Sequence, residues 1–158
     1  MLKKLAFGAA GLVLAASAVV AESHVDPAIA GAIKARQAHM QLNAFNIGVL
    51  GAMAQDKMPY DAAAASAAAS NLVALAKMNE SFYWPEGSDT EAVGDMTAAL
   101  PAAWQNMADV GAKAEALTQA AMGMEAAAGT DLDTLKAAMG PLGAACGACH
   151  KEYRQKNE

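Results

Sequence analysis

The chain has 158 residues, a usual size for one domain, and 55% of them are apolar while only 5% are aromatic. Sixteen Asp and Glu outnumber eleven Lys and Arg, giving a formal charge of −5. That balance lacks the basic footprint that nucleic acid or anionic lipid requires, and leaves a basic or mixed-charge protein as the compatible macromolecular partner.

The first element reads as a leader. Met1-Leu2-Lys3-Lys4 is short and basic, and Leu5 to Val20 follow without a charge. These are the n-region and h-region of a secretory signal peptide. Small residues offer cleavage after Ala18 or after Ala21, and Ala21 leaves the polar start Glu22-Ser23-His24. A membrane anchor is the competing reading, but the apolar run is short for a span. No later stretch is long and apolar enough, so the mature chain, residues 22–158, is expected to have no membrane span. Losing Lys3 and Lys4 leaves nine basic residues against sixteen acids, a formal charge of −7. His24 falls in the mature chain's terminal residues.

From there the pattern is helical, rich in Ala, Met, Leu, Gln, Glu and Lys, with no strand-like alternation. The first helix is expected from Asp26-Pro27, a cap followed by proline, to about Ala54. Ile29, Ile33, Met40, Ala44 and Ile47 share one face. The second is expected from its cap Asp61 to about Met78, and its alanine run gives a flat surface that a neighbour can approach closely. The segment from Asn79 to Leu100, broken by Pro85, Gly87 and Gly94, is either a packed crossover or mobile; Phe82, Tyr83 and Trp84 favour packing. The third helix is expected from Pro101 to about Ala128. The fourth starts at Thr130 or Asp131, and its seam runs Leu132, Leu135, Met139, Leu142, Cys146, Cys149, Tyr153 in steps of three and four. The fold class is therefore all-α: an antiparallel four-helix bundle with one long crossover between helices 2 and 3.

Cys146 and Cys149 are the chain's two cysteines, and His150 follows directly. A disulfide across one helical turn closes too small a loop to stabilise much. A thioredoxin-like pair wants a βαβ context. Zinc lacks a fourth ligand nearby. C-x-x-C-H is a specific signal for covalent haem: two thiols one turn apart can each add to a vinyl group of one porphyrin, and the next residue supplies an axial imidazole. The disulfide is the main reading left beside it. No nucleophile, general base or substrate pocket is recognisable, so an enzyme is not expected.

"ARQAHM" at Ala35 to Met40, "MPYDAA" at Met58 to Ala63, "LPAAW" at Leu100 to Trp104 and "DLDTLKAAMGPLGAACGACHKEYR" at Asp131 to Arg154 resemble the class II c-type cytochromes, the cytochrome c′ family, over nearly the whole mature chain. The resemblance implies one covalently attached haem c held by Cys146 and Cys149, with His150 as proximal iron ligand, in a bacterial periplasm. It divides on the sixth iron position. A low-spin branch supplies methionine from the first helix, which here is Met40; "VLGAMA" and "KMPYDAA" match that branch. Cytochromes c′ proper leave the position open, and Arg36-Gln37 look more like them. The first case implies electron transfer with redox partner proteins, the second binding of NO or CO. The resemblance also suggests haem contacts from Arg36, Gln37 and Thr97, and a homodimer through the first two helices, which the flat surface of Ala62 to Ala69 would allow. Arg36 has a solvated helix charge as its other reading. His39, about 100° around the helix from Met40, is expected to face solvent or a helix neighbour. Trp104 and Tyr153 are expected to pack the core.

Overall fold

A computed structural model describes residues 25–156; the leader (residues 1–21) and His24 lie outside them. Four long helices appear: α1 Pro27–Ala54, α2 Ala62–Ala76, α5 Met107–Ala128 and α6 Leu132–Tyr153. Between α2 and α5 run two short ones, α3 Thr90–Val93 and α4 Ala102–Gln105, with a 3-10 turn Gly94–Met96. Each long helix packs on the next, and α1 returns to α6, closing a ring. The bundle expected from the sequence is observed.

Aspartate starts three of the long helices. Asp26 accepts from Ala28 N at 2.7 Å, Asp61 from Ala64 N at 2.9 Å and Asp131 from Thr134 N at 2.7 Å. Each side chain satisfies a backbone donor that has no partner inside its helix, worth about 1 kcal/mol. α1 ends where Asp56 turns into the left-handed region at φ 56°, which Asp tolerates better than most side chains. Gly129, between α5 and α6, touches α2: a Cβ there would lie 2.3 Å from Oγ of Ser66. A side chain at residue 129 would force the Ser66 hydroxyl to turn away.

Two boundaries differ from expectation. α2 stops at Ala76, two residues early. The helix expected from Pro101 to Ala128 breaks at Asn106, φ −133° and ψ 42°. The short piece before the break carries Trp104, which stacks on Trp84 at 5.7 Å and donates through Nε1 to Trp84 O at 3.2 Å. Trp104 thus ties α4 to the crossover, which is packed.

The buried core fills one half of the bundle. It holds Leu50 and Met53 of α1, Ala65, Ala69 and Leu72 of α2, Met124 and Ala128 of α5, and Leu135 and Leu142 of α6. Burying each leucine contributes about 1.5–3 kcal/mol. Ala65, Ala68 and Ala69 bring α2 close to its neighbours, so this part of the alanine surface faces the bundle's interior. The core stops at Leu142. Beyond it the α6 seam continues through Cys146 and Cys149, both only half-buried, until Tyr153 closes it.

The α1 seam is corrected. Ile33 is buried, but Ala44 is exposed and Met40 is 38% exposed. The buried face instead includes Ala32, Arg36, His39, Asn46 and Leu50. Polar residues occupy it because the crossover and α2 meet them with polar groups: Asn71 of α2 donates to Asn46 Oδ1 at 3.0 Å. Hydrophobic periodicity cannot register such a face.

Candidate haem site

Cys146, Cys149 and His150 occupy the last turns of α6. Both cysteines are free thiols. Burial pushes both up from the usual thiol range, and at Cys149 the nearby Lys113 partly opposes that shift. Burial lowers His150, and the charge of Arg154 lowers it further, so the neutral imidazole that a metal needs is favoured. Among the described residues no cluster of three or more His, Cys, Asp or Glu could hold a metal ion.

The turn that carries this motif is fixed from two sides. On α5, Asp109 accepts from the Tyr153 hydroxyl at 2.5 Å and pairs with Lys113 at 2.7 Å, while the Lys113 ammonium lies 5.9 Å from the Tyr153 ring centre. The crossover pairs with the end of α6: Leu100 N donates to Tyr153 O at 2.9 Å, and Gln155 N to Ala98 O at 2.8 Å. Tyr153 is thus a buried packing residue, as expected, with its hydroxyl satisfied.

Arg36 is neither solvated nor idle. It is 5% exposed. One terminal nitrogen donates to Tyr83 O at 3.0 Å and Ser88 Oγ at 3.2 Å; the other donates to Ser88 O at 2.8 Å and Thr97 Oγ1 at 2.9 Å. Its guanidinium carbon lies 4.6 Å from the Trp84 ring centre and 5.6 Å from that of Trp104. Desolvation lowers its pKa, opposed by the charge of Asp89. Gln37 donates to Met96 O at 2.9 Å. Arg36, Gln37 and Thr97 therefore meet at one place, where α1 receives the crossover. Ser88 and Glu80, which complete that place, gave no signal in the sequence because their partners are distant in the chain.

Met40 belongs to the same end of the bundle. A methyl group at Gly51 would lie 3.7 Å from Cε of Met139 on α6, so that face of α1 looks at α6. Met40 is eleven residues before Gly51, about three turns, and shares its face. The two helices run antiparallel, and eleven residues after Met139 is His150. Met40 is therefore level with His150, on the facing helix. His39 is corrected: it is 5% exposed, with Nε2 3.3 Å from Oε1 of Glu80 and its ring edge-on to Tyr83 at 6.2 Å. Its Nδ1 is buried and has no hydrogen-bond partner among the described residues.

The sequence profile of the family described as Cytochrome C′ matches residues 31–154. The chain belongs to the cytochrome c′ family. It is similar to a cytochrome c-554 of Cereibacter sphaeroides, 48% identical over 127 residues that cover 79% of this chain and 81% of that one. It is 41% identical to a cytochrome c′ of the same organism, over 78% of this chain and 83% of that one. The solved cytochrome c′ from Rhodobacter sphaeroides superposes with a TM-score of 0.79 at 39% identity, covering 84% of this chain and all of that one. Cytochromes c′ are four-helix bundles with one covalently attached haem c, and this chain is a monohaem member. The cytochrome's own residues fit that group. Two thiols sit one turn apart beside a histidine whose pKa is lowered, beyond the last buried leucine of α6.

Proposed function

We propose that this cytochrome is an exported electron carrier of the bacterial periplasm, with Cys146 and Cys149 as the thioether anchors, His150 as proximal iron ligand and Met40 as the sixth. The haem, when bound, supplies one-electron Fe(III)/Fe(II) exchange. The chain's part would be to hold the His150 imidazole and the Met40 thioether at fixed separation, so that little would reorganise between oxidation states. The level placement of Met40 and His150 on facing helices carries this reading. The higher identity to a cytochrome c-554 than to the cytochrome c′ of the same organism supports it. Among the described residues no helix is long and apolar enough to cross a membrane, which suits a carrier that meets protein partners by diffusion. Leu42 and Phe45 are 53% and 70% exposed on α1, and would serve a homodimer.

Binding of NO or CO is the second reading. It is favoured by the Arg36-Gln37 pair and by the 41% match to a cytochrome c′, and makes Met40 a steric gate. Visible absorption of the purified protein in both oxidation states tests the choice. Low-spin spectra in both support the carrier, and a high-spin spectrum at neutral pH overturns it.

A further inference from the structure

Arg36, His39 and Met40 share one turn of α1. Seen down the axis, His39 and Met40 flank Arg36, about 60° to one side and about 40° to the other. Arg36 and His39 are buried and Met40 is not. Arg36 is held by the end of the crossover, at Ser88 and Thr97. His39 meets its beginning, Glu80. Glu80 is itself fixed: its Oε2 accepts from Trp84 Nε1 at 3.2 Å, and Trp84 packs against both Arg36 and Trp104. Arg36 and Gln37, which donates to Met96 O at 2.9 Å, tie this turn to the crossover on the Met40 side. His39 adds a grip on the opposite flank, so the turn is held against roll from both sides.

We propose that the His39–Glu80 contact is a positioning device for Met40, fixing the rotation of α1 at which the thioether is presented to the helix that bears His150. The inference rests on Met40 facing the haem, whether as ligand or as gate. The unpartnered Nδ1 supports it. A buried ring nitrogen left without a donor or acceptor is unfavourable, so the ring is held there by its other contacts, Nε2 with Glu80 and the ring with Tyr83.

The test is a double-mutant cycle read by CO association to the ferrous holoprotein, with visible spectra of each variant. His39→Ala is expected to speed CO binding about tenfold, in the direction of Met40→Ala. In a Met40→Ala background the same change is expected to alter the rate by less than about twofold, because nothing remains to be positioned. Glu80→Ala, which leaves α1 untouched, must reproduce the His39→Ala rate. Amide exchange around Met40 should quicken in both single variants. Unchanged CO rates in His39→Ala and Glu80→Ala overturn the proposal. So does a factor that persists in the Met40→Ala background, which would mean a general loosening of the fold. A high-spin wild type with the cycle still non-additive would retain the positioning role and reject only the ligation. If Met40→Ala itself leaves CO binding unchanged, Met40 does not face the haem and both readings fall.

Discussion

Arg36 donates to Thr97 Oγ1 at 2.9 Å, and Thr97 Oγ1 also accepts from Ala99 N at 3.2 Å. Ala99 bridges to Arg154, four residues beyond His150. One side chain of α1 is thereby linked, through the end of the crossover, to the turn that carries the haem motif. Arg36→Ala removes four donated hydrogen bonds and strands carbonyl oxygens of Tyr83 and Ser88. We expect it to cost about 3 kcal/mol, given what unsatisfied buried partners of a charged group cost. Arg36→Lys should recover little, since an ammonium cannot fork between Ser88 and Thr97. Urea unfolding of the holoproteins measures both, and a loss under about 1 kcal/mol would show that the crossover holds without it.

Attachment through Cys146 and Cys149 should survive denaturation and acid–acetone extraction, because thioethers are covalent. Colour passing into the organic layer would refute the anchor assignment. Replacing either cysteine by Ala should leave one bond at most and sharply lower the yield of holoprotein. The apoprotein should lose native stability relative to holoprotein, by the linkage of ligand binding to folding. The loss should concentrate beyond Leu142, where the apolar core ends.

Met40→Ala should convert a low-spin protein to high-spin and open it to CO. Truncating a methionine that packs against the haem should cost about 2–5 kcal/mol, and the fold should survive. A low-spin spectrum that persists in Met40→Ala would exclude Met40 as the ligand.

The stability that the Tyr153–Asp109 contact contributes should be lost at both ends of the pH scale. The Lys113 and Tyr153 hydrogen bonds hold Asp109 below its ordinary carboxylate value. Its contribution is thus present above the unfolded pKa and is lost as pH falls through the folded one. The same contact raises Tyr153 from an ordinary 10.0 to about 12. Its contribution is present below the unfolded value and is lost as pH rises from there towards the folded one. Tyr153→Phe should abolish the alkaline part, and Asp109→Asn should weaken both. The check is unfolding midpoint against pH, with the tyrosinate ultraviolet band reporting Tyr153; an ordinary Tyr153 titration would contradict the contact.

Local chemistry was legible in the chain itself. The caps Asp26, Asp61 and Asp131, the α6 seam, the haem motif and the long crossover all follow from short-range spacing, because a helix places residues three and four apart on one face whatever surrounds it. Ile33, Leu135, Leu142 and Tyr153 were therefore identifiable as buried. The break at Asn106 was not, since it depends on Trp104 stacking on a tryptophan of the crossover. Nor was the burial of Arg36, His39 and Asn46. Charged and polar residues enter a core only when partners meet them there, and Ser88, Thr97, Glu80 and Asn71 come from other elements. Arg36 and Thr97 were suspected separately; only packing shows that they bond each other. The level placement of Met40 and His150 is likewise tertiary. The sequence sets each on its helix face, but the register between α1 and α6 comes from where the side chains of the two helices meet, and no local pattern encodes that.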